Sequence, residues 1–238
     1  MITHYYKCGM VDWNNIDWYL LSHNPAAIHL LEQNMDKIAW GELAHNSAAI
    51  HLLEKNIDKI NWMFLSTNPA AIHLLEQNQD KIDWAILSMN PAAIHLLEQN
   101  PEKISWMLLS RNPAAIHLLE QNMDKIDWNE LSANPAAIHL LKLFPNKIDW
   151  RELSHNTNPL AIQLFEQNLD KQDRFDWNWL PQNPTAIHFL EQHQDKFDRI
   201  TLFGNPAIFE YDYDKIAEHR RPINTDIQRF LGFKSFND

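Results

Sequence analysis

Histidine and glutamate recur together at a fixed interval in this chain. His29, His51, His73, His95, His117 and His139 stand 22 residues apart, and Glu32, Glu54, Glu76, Glu98 and Glu120 each follow a histidine by three residues. Gln163 breaks the histidine series and His188 resumes it. Such residues can do two kinds of chemistry: ligate a metal ion, or gain charge as the pH falls below neutral. Metal ligation fails on spacing. Stacked repeats lie about 8–10 Å apart, whereas a zinc ion needs each imidazole nitrogen within about 2.1 Å, so no more than two histidines could reach one ion. No metal and no cofactor is therefore expected. Titration survives as an idea, because a histidine column beside a glutamate column would change charge on acidification and so bind or release a partner.

The tryptophans form a second column, at 18, 40, 62, 84, 106, 128 and 150. Aromatic columns stack on the bases of single-stranded nucleic acid, but an indole in every repeat more simply fills the space between helix layers. The remaining chemistry is sparse. Cys8 is the single cysteine, which excludes an internal disulfide and a cysteine-based zinc site. There is no Gly-rich phosphate loop, no G-x-S-x-G and no H-E-x-x-H. Because the histidine and carboxylate pairs come in many copies, where active sites do not, the chain is expected not to be an enzyme.

The elements that must position these columns are written in the repeat itself. The string NPAAIHLLEQN occurs word for word at 24–34, 68–78, 90–100 and 112–122. Asn-Pro supplies a helix N-cap followed by proline at the first helical position, where its missing N–H does no harm. In the copy at Asn68, Ala71, Ile72, Leu74 and Leu75 cover one side at 100° per residue, while His73 and Gln77 face away. The histidines are thus a surface ladder. Asn78 is placed to end the helix in the left-handed conformation. A second, shorter helix begins inside KIDWxxLS, with Asp83, Asp127 or Asp149 as N-cap. Ile126 and Leu131 have staple spacing, and Glu130 and Glu152 are spaced to complete capping boxes.

A fixed 22-residue period of this kind defines stacked supersecondary units. Valine occurs once and strand-like alternation is missing, so the predicted fold is all-α: an α-solenoid of about nine two-helix repeats with N- and C-terminal capping segments. The expected organisation is an N-terminal cap over 1–17, tandem repeats over 18–204, and a degenerate repeat with capping helices over 205–238.

Composition narrows the partners. A net charge of −11 opposes tracking of a phosphate backbone or an anionic membrane, so neither nucleic acid nor membrane is expected as partner. No apolar run approaches the ~20 residues that span a bilayer, and the opening MITHYYKCGMVDWNN lacks the pattern of a signal peptide. The expected home is intracellular, not secreted. Another protein remains as partner, with self-association as a variant of the same idea.

Where copies differ, packing does not dictate the residue. The pairs after each tryptophan read Tyr19-Leu20, Gly41-Glu42, Met63-Phe64, Ala85-Ile86, Met107-Leu108, Asn129-Glu130 and Arg151-Glu152. The middle three are apolar. Together with Met89 they suggest a partner-binding surface made of Leu20, Met63, Phe64, Ile86, Met89, Met107 and Leu108; partial burial against the next repeat is the competing explanation. The residue before each Asn-Pro also varies, through His23, Thr67, Met89, Arg111, Ala133, Gln182 and Gly204.

The combined motif NPAAIHLLEQNxDKIDWxxLSxN resembles the short-repeat proteins that giant DNA viruses of the mimivirus and marseillevirus kind encode in many copies. The stretch GNPAIFEYDYDKI at 204–216 is similar to the way such arrays close. The resemblance covers most of the chain. It implies a viral protein acting in the host cytoplasm or the virion, and it brings no catalytic residues to carry over. The expected function is a non-enzymatic scaffold or adaptor for protein–protein interaction. The alternatives are a self-assembling structural virion protein and a lipid-surface protein of amphipathic repeats; the N-x-D-K break, which splits each unit into two helices, opposes the latter.

Overall fold

The structure is a computed structural model that describes residues 15–208. Residues 1–14 and 209–238, and with them most of the two expected capping segments, lie outside the described residues. Among the described residues the chain is all-helical, without strands. It forms two compact units, 1–158 and 159–238, and the division falls where the insertion Asn156-Thr157-Asn158 first stretches the repeat.

The first unit is a run of rungs, numbered here by their tryptophans from Trp18 (rung 1) to Trp150 (rung 7). Rung 3 shows how the sequence builds each one. The Asn61 side chain accepts from the Phe64 N–H and starts the short helix Trp62–Ser66. Asn68 then accepts from the Ala70 N–H at 3.0 Å. The chain does not pass directly into α-helix there, because Pro69–Ala71 is a single 3-10 turn, closed by the Ala71 N–H on the Asn68 carbonyl. Ala71, at φ −93° and ψ 6°, hands over to the α-helix Ile72–Gln77.

The expected left-handed cap at Asn78 is not adopted. Its φ is −134° and its ψ 49°, and it caps with its side chain, the amide donating to the Leu74 carbonyl at 2.9 Å. A second 3-10 turn, Gln79–Lys81, leads to the next rung. In rungs 2 to 5 each expected two-helix repeat is therefore two α-helices separated by two 3-10 turns, a tighter wrap that still fits 22 residues.

Leucine fills the core. Leu53, Leu75, Leu97 and Leu119 of the Asn-headed helices, and Leu43, Leu65, Leu87 and Leu109 of the short helices, are all 0% exposed. Ala49, Ala71, Ala93 and Ala115 are equally buried and let the helices approach. Ile126 and Leu131 are both buried, as staple partners must be.

Polar groups are buried beside this core in two ladders. Asn46, Asn68, Asn90, Asn112, Asn134 and Asn156 are buried, and each donates its amide to a carbonyl 24 residues earlier, as Asn90 does to Ser66 at 3.0 Å. Four residues after the tryptophan in rungs 1 and 3 to 6, a buried serine donates to the tryptophan carbonyl and accepts an N–H from the next rung. Ser110, for example, binds the Trp106 carbonyl at 2.8 Å and the Asp127 N–H at 3.0 Å. This corrects the capping-box expectation. Asp127 caps its helix as predicted, accepting from Asn129 and Glu130 N–H, but its own N–H belongs to Ser110, and the Glu130 carboxylate turns outward to Arg111 at 2.9 Å. Asp149 N–H is held by Ser132 in the same way, so Glu152 closes no box either.

The second unit keeps the asparagine device, with Asn205 donating to the Pro181 and Asn183 carbonyls. It exchanges leucine for aromatic packing. Phe165 meets Phe175 edge-on at 4.6 Å, and Trp177 stacks on Phe189 at 5.9 Å.

Candidate interaction surface

Three columns of side chains reach the outside of the first unit, and the fold sets each by a fixed sequence offset. The histidine ladder is one. His51, His73, His95, His117 and His139 hold, through Nε2, the glutamate of the preceding rung at 2.7–2.8 Å: Glu32, Glu54, Glu76, Glu98 and Glu120 respectively. The partner is thus the glutamate 19 residues earlier, not the one three residues on. His29 heads the series and is half-buried. His188, in the second unit, instead faces Glu191 of its own helix at 3.3 Å. Among the described residues no group of three or more potential ligands gathers into a metal site. The paired side chains are 42–51% exposed, and ion pairs in water contribute about 0–1 kcal/mol. Replacing His73 by glutamine is expected to cost under about 0.5 kcal/mol in a urea melt, consistent with the chain's own use of Gln163 at this position.

Tryptophan makes the second column. Trp150 is buried, but Trp40, Trp62, Trp84 and Trp106 are half-buried, and a lysine from the turn that ends the same rung lies over each ring: Lys59, Lys81, Lys103 and Lys125 at 4.2–4.9 Å from the ring centroids. The indoles therefore do more than fill space between layers. Each is a half-buried ledge whose outer face holds an ammonium group, the face on which a base or sugar would have to stack.

The third column holds the residues that change between rungs. Met63, Met89 and Met107 are 45%, 43% and 52% exposed, and Leu20 is 66% exposed. Phe64, Ile86 and Leu108 are half-buried, at the position that pairs, where a contact is seen, with the residue before the asparagine of the preceding rung. That pairing is visible at three rungs: His23 lies 3.9 Å from Glu42, the His45 ring stacks on Phe64 at 4.5 Å, and Arg111 binds Glu130. Met89 and Leu108 occupy the equivalent pair. The face therefore carries Met63, Phe64, Ile86, Met89, Met107 and Leu108 in rungs 3 to 5, with Thr67 and Arg111 as its polar members there. Leu20 stands apart from it, across Gly41, Glu42 and His45 of rung 2.

At the polar edge the Tyr19 phenol is raised above its ordinary range, first by its hydrogen bond to Glu42 and then by that carboxylate's charge. The protonated phenol is the form that donates. This contact is fully present below the ordinary tyrosine value of about 10 and is lost as the pH rises through the raised one. Glu42→Gln is expected to lower the Tyr19 midpoint in an NMR titration; an unchanged midpoint would remove the carboxylate as its cause.

Sequence reading missed the serine ladder and the lysine caps. Both carried a signal, a Ser four residues after every Trp from 18 to 150 except Trp40 and a recurrent Lys in N-x-D/E-K, yet neither names a partner until the offsets of 17 and 19 residues are known.

These observations define an all-α repeat protein of the solenoid class. Compared with known proteins, the chain matches no family model, no curated protein and no solved structure. Among the described residues no helix is long and apolar enough to cross a membrane.

Proposed function

We propose that the protein is a non-enzymatic scaffold that binds another protein through the changing face of rungs 3 to 5, in the infected host cell or the virion. The observation that carries this reading is the exposure of Met63, Met89 and Met107 on successive rungs, on an outward column whose residues differ between copies. The neighbouring columns repeat a single pairing rung after rung and so distinguish no part of the array. Methionine is flexible and polarizable, and surfaces built from it adapt to a partner's shape.

The test is capture of the tagged protein from expressing cells, read by mass spectrometry, beside the triple variant Met63→Glu, Met89→Glu, Met107→Glu. These three positions are exposed, so the variant is expected to melt within a few degrees of the parent. The partner enriched by the parent is expected to be lost by the variant, with affinity reduced at least tenfold for the purified pair. Equal capture by both proteins would remove this face from the binding reading.

A further inference from the structure

Rung 2 lacks three supports that its neighbours share. Its short helix, Trp40–Leu43, is headed by Ala39 and has no side-chain cap, whereas Asp17, Asn61, Asp83, Asp127 and Asp149 all cap theirs. Gly41 sits inside that helix, although a Cβ there would meet its nearest neighbours, Asn61 Nδ2 and Phe64 Cε2, at an ordinary 3.9 Å; packing does not require glycine. Ala44 stands where rungs 1 and 3 to 7 carry the bridging serine. The bond that Ser22 makes to Ala39 N–H, and Ser66 to Asp83 N–H, has no counterpart from Ala44 to Asn61.

We infer that the junction between rungs 2 and 3 is a built-in weak joint, at which residues 18–54 open as a unit while rungs 3 to 5 stay closed. Ser105 also makes no capping bond, but rung 5 keeps Ser110, so only rung 2 combines all three losses. Each is of a kind that shifts a local folding equilibrium about two- to tenfold. In a repeat stack each rung contacts only its neighbours, so a weak junction opens without disturbing the rungs beyond it.

Other contacts still cross this junction. Asn68 donates to the Ala44 carbonyl, Ser47 Oγ donates to Asn68 Oδ1 at 2.9 Å, and the His45 ring meets Thr67 Oγ1 and Phe64. They hold the joint closed in the structure. Opening lifts His45 from Phe64 and so enlarges the apolar face at its N-terminal edge. The joint itself stands whether or not that face binds a partner.

Native-state hydrogen exchange tests it, because rungs 2 and 4 have the same backbone bonds. Leu43, Asn46 and Ala49 N–H donate to Ala39, Leu43 and Asn46 carbonyls, as Leu87, Asn90 and Ala93 N–H donate to Asp83, Leu87 and Asn90. In the parent the rung 2 amides are expected to exchange about 10- to 100-fold faster than their rung 4 equivalents. The variant Ala39→Asp, Gly41→Ala, Ala44→Ser is expected to bring the two sets within about threefold. Transplanting the defects as Asp83→Ala, Ala85→Gly, Ser88→Ala is expected to create fast exchange in rung 4. Equal protection in the parent would overturn the proposal. So would a difference that survives the repair, which is fraying from the chain end, or a rung 4 left unchanged by the transplant.

Discussion

Asn90→Ala is expected to destabilise the protein by about 1.5–5 kcal/mol, more than any single change in the histidine ladder. One buried side chain makes two unlike bonds here. Its oxygen accepts the Ala92 N–H at 3.0 Å, capping its own rung, and its amide donates to the Ser66 carbonyl at 3.0 Å, tying that rung to the one before. Losing a cap costs about 0.5–2 kcal/mol, and a buried carbonyl stripped of its donor costs about 1–3 kcal/mol more. Urea melts of Asn90→Ala and Asn90→Asp separate the two bonds. Aspartate keeps the acceptor and loses the donor, so it should retain the cap while forfeiting the tie. Equal losses in the two variants would place the whole effect in the inter-rung bond.

The second large effect is expected from Leu97→Ala. Leu97 is fully buried in the helix Ile94–Gln99, and truncating such a leucine typically costs 2–5 kcal/mol through lost transfer energy and the cavity left behind. Position along the stack should modulate the result. A rung with neighbours on both sides couples into two interfaces, so Leu97→Ala is expected to lower the melting temperature more than Leu31→Ala in rung 1, although Leu31 is equally buried. Equal shifts would mean that the unit unfolds as a single block, with no nearest-neighbour character.

Several features of the fold were legible residue by residue. Asn68 caps its turn, Asp83, Asp127 and Asp149 cap their short helices, and Leu74 and Leu75 turn inward as the helical wheel requires. Asn78 was misread because asparagine can end a helix in two ways, by backbone conformation or by side-chain amide; the following Asp-Lys turn selects the second. The capping boxes at Glu130 and Glu152 were misread for a different reason. The local rule supplies a glutamate for the aspartate N–H, but Ser110 and Ser132 of the preceding rungs are already there.

The candidate surface divides along the same line. That Met63 and Met107 point outward follows from helical phase, whereas Met89 lies in the turn after its short helix. That Phe64, Ile86 and Leu108 are half-covered while the methionines are not depends on the 19-residue offset between one rung's short helix and the next. The same offset joins His51, His73, His95, His117 and His139 to a glutamate one rung back, and Lys59, Lys81, Lys103 and Lys125 to the tryptophan that begins their rung.

By itself, then, the sequence determined the all-α class, the 22-residue rung, the caps and the leucine core, because each is decided within about one helical turn of the residues concerned. Only the tertiary structure decided which side chains meet across rungs, and with them the buried Asn and Ser ladders, the paired histidines, the covered indoles and the weak joint at Ala44. Those contacts join residues 17, 19 or 24 apart, and such offsets are set by how one rung packs against the next, which the period alone leaves open.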